Sequence, residues 1–402
     1  MAARPDPTAM HKIIAASLED DRIIVRWSDN SEQKLHPAYL RHSPGYPGGE
    51  RPAGEQGRFP PTPEGFRPGH AELTKTGDLQ LTWQPGKVVS LHRSDWLRKQ
   101  IGILEYDQQP STDSGIWDAA SINNKSDLDF NAPGESGSAR LELYEQVLKW
   151  GVALIRNVPL EPDIVESISK WFGQIPPNPY ADDPARPALS SIRVNPEMPV
   201  ATHMSHFLGP HTDTCWRQTL IGLLLMHCLK AHPDSGRSIL VDGYTVANRL
   251  REESPEAFEL LSTVPIPFGA KVRDRDDWRV MGRVISVAAD GVVEGIRYNG
   301  NSIGQLDLPD KLVAPTYAAL EAFEKILYDR DLWWQPMLQP GDLLVIDNHR
   351  ILHGREAFDP TSGERHLQCC SVDRDDFHNN YRRLAKSMGS DNWDQRLRAG
   401  VI

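Results

Sequence analysis

Short runs of apolar residues, many alternating with polar ones, dominate this chain, and helical spacing interrupts them only in places. Lys12–Ala15 and Arg22–Trp27 read as strands, with Asp20-Asp21 between them and Ser28–Ser31 as the next turn. Residues 43–69 are thick with Pro and Gly and carry no period, so a long loop or poorly ordered insertion is expected there. Strand patterns return at Leu79–Trp83 and Lys87–Leu91. Together these predict a small β-rich N-terminal domain over residues 1–100.

Residues 101–135 are mostly polar, rich in Ser, Asn and Asp, and are expected to form a linker. Helical spacing then appears over Leu141–Trp150, followed by a strand at Val152–Arg156 and a helix over Pro162–Phe172. Beyond residue 200 the pattern is mainly short strands, with helices expected at Thr245–Arg251, Pro255–Leu261 and Ala314–Tyr328. Ser254 is a ready N-cap, and Pro255 suits the first helical position. Many short strands with a few inserted helices predict a mainly β, jelly-roll core for the domain 136–402.

The 402 residues are 39% hydrophobic and 25% charged, enough apolar material for a core. The net charge of −11, without a clustered basic stripe, argues against nucleic acid as a partner. No apolar stretch approaches the ~20 residues that span a bilayer, and Met1–Pro7 lacks a signal-peptide core, so no membrane association and a cytoplasmic address are expected. Cys215, Cys228, Cys369 and Cys370 suggest no disulfide framework and read as buried thiols in a reducing compartment.

The candidate chemistry lies in two stretches about 140 residues apart. Pro210-His211-Thr212-Asp213 is one; the other runs from Gln339-Pro340-Gly341-Asp342 through the apolar Leu343–Ile346 to His353-Gly354. Residues i and i+2 of a strand point to one side, so His211 and Asp213 can reach one ion. With His353 they fit the two-histidine, one-carboxylate facial triad of a non-haem iron(II) oxygenase, which leaves three positions for a chelating co-substrate and dioxygen. Arg365 follows twelve positions after His353. Its always-charged fork suits the far carboxylate of 2-oxoglutarate. His349 reads as non-ligating and His227 as a buried structural histidine.

The His-Thr-Asp, Leu225–Lys230, Val241-Asp242-Gly243, Asp-Asn-x-Arg-x-Leu-His-Gly-Arg and Arg365-His366-Leu367-Gln368 segments resemble the γ-butyrobetaine hydroxylase branch of the taurine dioxygenase superfamily. The resemblance covers roughly residues 136–385 well, and the first hundred weakly. It implies a double-stranded β-helix, Fe(II), 2-oxoglutarate and O2 as reactants, a small-molecule substrate, and a homodimer. It puts Met226 in the co-substrate pocket, with core filling as the competing role. It puts Asn299 and Asn301 near the active site, with a plain turn as the alternative, and sets Trp216 and Arg217 beside the substrate.

Two departures stand out. The stretch Tyr39–Tyr46, where the family often has zinc-binding cysteines, holds none, so no structural zinc is expected. The aromatic cage for a trimethylammonium group falls near Leu189, Arg193, His203 and Ser371, none of them Tyr or Trp. An anionic or polar substrate is therefore expected, oxidised at an unactivated C–H bond by hydroxylation, desaturation or cyclisation. The alternatives are a betaine hydroxylase with an altered cage, a zinc-dependent hydrolase on the same ligands, and a non-catalytic jelly-roll binding module.

Overall fold

The computed structural model describes residues 12–43, 45–47, 62–99, 115–123, 127–130, 134, 136–177, 188–194, 204–270, 277–390 and 397–401. The chain divides into two compact units, Met1–Asp107 and Gln108–Ile402.

The first unit holds two antiparallel three-stranded sheets. One is β1 (Ile13–Glu19), β2 (Arg22–Trp27) and β3 (Glu32–Leu35); the other is β4 (Arg67–Leu73), β5 (Leu79–Gln84) and β6 (Val89–His92). Alternation along β5 buries Leu79, Leu81 and Trp83 in a core with Ile23, Val25, Trp27 and Leu35. The loop expected over 43–69 ends sooner: Phe66 stacks on Trp83 at 4.7 Å and Arg67 opens β4, while residues 48–61 lie outside the described residues.

A polar chain runs through this core. The Trp83 indole donates to Ser90 Oγ at 2.7 Å, and Ser90 Oγ lies 2.9 Å from His92 Nε2. Ser43 Oγ lies 3.3 Å from His92 Nδ1 and donates to the Leu40 carbonyl at 2.8 Å. Both nitrogens of His92 are thus engaged by hydroxyls. Residues 1–100 contain no cysteine to supply a thiolate.

The second unit stacks two sheets between helices. The larger has the order β7 (Asp127–Asp129), β8 (Val152–Arg156), β17 (Leu343–Asp347), β11 (Leu223–Lys230), β19 (His366–Val372), β9 (Ser190–Ile192). The smaller has β18 (Ile351–Arg355) between β10 (Leu208–His211) and β12 (Ser238–Asp242). Two hairpins, β13 (Ile266–Ala270) with β14 (Trp278–Gly282) and β15 (Ile285–Val287) with β16 (Val293–Ile296), flank them.

Leu224, Met226, Cys228, Leu344, Ile346, Leu367 and Cys369 meet Leu240 and Ile351 in the core between the sheets. The outer face of the large sheet, through Leu225, Val345 and Cys370, packs under helices Gly137–Trp150, Ile164–Phe172 and Arg374–Ser387. The outer face of the small sheet, through Ile239, Val241 and Leu352, packs under helices Gly243–Glu253, Pro255–Thr263 and Asp310–Leu327. Burial on both faces explains why β11 and β17 read as continuous apolar runs.

The described part of the stretch expected as a linker belongs to this unit. Trp117 is buried; its backbone N–H donates to Asp242 at 3.1 Å and its indole to the Trp150 carbonyl at 2.7 Å. β7 adds parallel to β8. One large apolar ring outweighs the polar residues around it. Among the described residues, no helix is long and apolar enough to cross a membrane.

Candidate metal centre

His211 ends β10 and pairs directly with His353 in β18. β10 is an edge strand, which tolerates Pro210. Gly354 permits the close approach: a Cβ there would lie 2.4 Å from the Leu208 carbonyl oxygen. Asp213 lies two residues beyond β10, with Oδ1 3.4 Å from His211 Nε2 and 3.8 Å from His353 Nε2. Among the described residues these three form the one group of His, Cys, Asp or Glu able to hold a metal ion, their ligand atoms all within 4.8 Å.

The imidazoles are set by their surroundings. His211 Nδ1 lies 2.8 Å from the Gly209 carbonyl, which only accepts, so Nδ1 carries the proton and Nε2 presents its lone pair. His353 Nδ1 is buried without a hydrogen-bond partner. Burial would push the His211 pKa down, but the Asp213 carboxylate holds it above its ordinary value. Burial would raise Asp213, yet His353 and His211 hold it below the usual carboxylate range. Burial and then His211 push His353 down to about 4. One carboxylate and two imidazole nitrogens, which a bound cation would keep unprotonated, fit a divalent ion of the iron type.

Arg365 stands just before β19. Burial pulls its pKa below the ordinary value, and the groups opposing this are the thiols of Cys228 and Cys369. Among the described residues it makes no ion pair. Cys369 is within electrostatic reach of both Asp213 and Arg365. Met226 is buried beside Cys369 in the register of β11 and β19. Ser371 is two positions further along β19, opposite Leu224, and on the same face as Cys369.

The remaining candidates scatter. Trp216 is buried in the helix-side core, 5.2 Å from the Trp278 ring. Between it and Asp213 the chain turns at Thr214, whose φ of 55° ends strand alternation. Arg217 extends over Trp278 at 5.7 Å. Asn299 Oδ1 accepts the Asn301 N–H at 3.0 Å in a local turn, and Asn301 is exposed. This turn adjoins the site, because Thr212 N–H donates to the Tyr298 carbonyl at 2.7 Å. Leu189 packs in the outer core, Arg193 neighbours His366, and His203 lies outside the described residues. His349 Nδ1 accepts the Val401 N–H at 2.9 Å.

Sequence reasoning assigned no role to Asn348 or Arg297, both of which hold the loop after Asp213. Asn348 was visible as the polar residue directly after an apolar strand; Arg297 carried no local signal.

Fold and site define a class: a sheet-borne group of two histidines and an aspartate able to hold a metal ion, gathered on one side. Residues 109–371 match the taurine catabolism dioxygenase TauD, TfdA family, and the chain belongs to it. It is an oxidoreductase of the dioxygenase type. It is similar to γ-butyrobetaine dioxygenase of Pseudomonas sp. (strain AK-1), 27% identical over 321 residues that cover 78% of this chain and 80% of that protein. It is also similar to mitochondrial trimethyllysine dioxygenase of Mus musculus, 29% identical over 317 residues, 76% of this chain and 72% of that one. Human γ-butyrobetaine dioxygenase is 31% identical over 172 residues, 42% of this chain and 44% of the human protein.

Proposed function

We propose that this dioxygenase depends on Fe(II) and 2-oxoglutarate and oxidises an unactivated C–H bond of a small polar or anionic molecule. The stacked sheets then correspond to a double-stranded β-helix. His211, Asp213 and His353 hold the iron, which supplies oxygen activation when bound. Arg365 pairs with the distal carboxylate of 2-oxoglutarate, and Met226 lines that pocket.

The observation that carries this reading is Arg365. Its guanidinium is part-buried, makes no ion pair among the described residues, and shares Cys369 as a neighbour with Asp213. A cation so placed is stabilised by an anionic guest. A zinc hydrolase has no use for that guest, and a binding module has no use for the triad.

The substrate class rests on the cage positions. Leu189, Arg193 and Ser371 offer no aromatic face to a quaternary ammonium, and Arg217 carries its charge on the loop that leaves Asp213. The second reading, a trimethylammonium substrate, is favoured by the names of the similar proteins. The enzyme is taken to be a cytoplasmic homodimer acting on a free small molecule, with no nucleic-acid or membrane partner.

The test is anaerobic addition of Fe(II) and 2-oxoglutarate, which should give the weak visible charge-transfer band of the chelate. Succinate release is then screened over anionic compounds and γ-butyrobetaine. Absence of the band with saturating reagents refutes the cofactor assignment.

A further inference from the structure

We propose that Asn348 is a positioning residue for the Asp213 carboxylate, an inference that rests on the metal-centre reading above. Asn348 is fully buried, in the turn joining β17 to β18. Its Oδ1 accepts the Asp213 N–H at 2.8 Å, and its Nδ2 donates to the Asp213 carbonyl and the Ile221 carbonyl, each at 3.1 Å. Its own backbone N–H donates to the Gly222 carbonyl at 2.9 Å.

One carboxamide therefore grips both peptide groups of Asp213. With N–H and C=O held, the direction of the Asp213 Cα–Cβ bond is set, and the carboxylate has only its side-chain torsions left.

The loop needs that grip. Thr214 has a φ of 55°, a conformation that a β-branched residue keeps only where its surroundings enforce it. Thr214 Oγ1 accepts the Ile221 N–H at 3.1 Å, closing the base of the loop. At its crown Arg297 Nη1 donates to the Cys215 and Arg217 carbonyls, both at 2.6 Å, and Nη2 donates to the Gln218 carbonyl at 2.9 Å. Asn348 closes the one part of this loop that carries a metal ligand. The strand following Asn348 carries His353, so one side chain ties the Asp213 half of the centre to the His353 half.

Gln368 provides a matched control. It clamps Asp163 by two hydrogen bonds, at 2.7 and 2.8 Å, on the opposite face of β19. Co(II) is titrated into wild type, Asn348→Ala and Gln368→Ala, following the visible absorption of the bound ion. Asn348→Ala should weaken Co(II) binding about 10–100-fold, the usual effect of losing an outer-shell partner. Gln368→Ala should lose thermal stability comparably yet bind Co(II) within about twofold of wild type. In turnover, Asn348→Ala should lower kcat and leave the KM for 2-oxoglutarate unchanged.

Co(II) affinity equal to wild type in Asn348→Ala, or equal losses in both variants, overturns the positioning role. If Asn348→Ala is recovered only unfolded, Asn348→Ser carries the same comparison. A wild-type protein that takes up no Co(II), or takes it up equally after Asp213→Ala, overturns the metal-centre reading instead.

Discussion

His211 and His353 face each other across the β10–β18 pairing, with ring centroids 4.5 Å apart. The centre is thus built from a register, not from flexible side chains reaching inward. A one-residue slip of β18 would turn His353 to the opposite face and bring Leu352 or Gly354 to the site.

That register separates two histidines four positions apart. His353→Ala should lower 2-oxoglutarate turnover by at least about a hundredfold, beyond the usual effect of an outer-shell change. His349→Ala should bind metal normally and lose only stability, because His349 serves the Val401 N–H. Metal titration of both variants decides this. Loss of binding in His349→Ala with retention in His353→Ala reverses the assignment.

Arg365 sets the second expectation. Each hydrogen bond to a charged group is worth about 1.5–3 kcal/mol, so losing a two-pronged contact should raise the KM for 2-oxoglutarate on the order of a hundredfold. Arg365→Met should do so while Co(II) still binds at His211, Asp213 and His353. An unchanged KM would remove 2-oxoglutarate from this position.

His227 makes a prediction about pH. It is buried in β11 with neither ring nitrogen bonded, and burial pushes its pKa down to about 4. Burial likewise lowers His349 to about 4 and His378 to about 3. As pH falls from about 6.5 towards 4, the unfolded chain gains these protons before the folded one. Folding stability should therefore drop across that window. His227→Leu removes unsatisfied nitrogens and one titrating group, so it should stabilise by about 1 kcal/mol or more at neutral pH and by more at pH 5. Urea unfolding at pH 7 and 5 checks it. A variant with the same acid slope as wild type contradicts the argument.

Much of the second unit was legible because its strands obey a two-residue period and its helices a 3.6-residue one. Helix Pro255–Thr263 begins where Ser254 and Pro255 announce it. The grouping of His211, Asp213 and His353 was legible because an i, i+2 pair beside one strand and a histidine in another leave few geometries. The burial of Trp216 was not legible because the Thr214 turn depends on Asn348 and Ile221, partners distant in sequence. Trp117 was misread because composition averages over a window, whereas a single buried indole fixes a segment. Arg297 escaped notice because three carbonyls, not a carboxylate, neutralise its surroundings.

The first unit should carry no stoichiometric zinc. His92 is occupied on both sides by Ser90 and Ser43. His92→Ala should cost about 1–3 kcal/mol by leaving the buried Ser90 hydroxyl without its partner at His92, and added zinc should restore nothing. Metal analysis of iron-free protein is the check; one tightly held zinc per chain that survives His211→Ala would contradict it.

The substrate class is the remaining expectation. A trimethylammonium group held against aromatic faces gains about 2 kcal/mol or more from a desolvated contact. At the positions that would supply such faces this chain has Leu189, Arg193 and Ser371, so γ-butyrobetaine should bind more than tenfold less well than a compound matched to the site. Arg217, lying over Trp278, offers a guanidinium to a carboxylate, sulfonate or phosphonate instead. Arg217→Met should raise the KM for such an anion and leave Co(II) and 2-oxoglutarate binding unchanged, because its side chain touches neither the triad nor Arg365. Steady-state kinetics on the best anion from the succinate screen, with γ-butyrobetaine run beside it, tests both halves at once. Efficient conversion of γ-butyrobetaine, unaffected by Arg217→Met, would show that this loop selects a cation by some other surface.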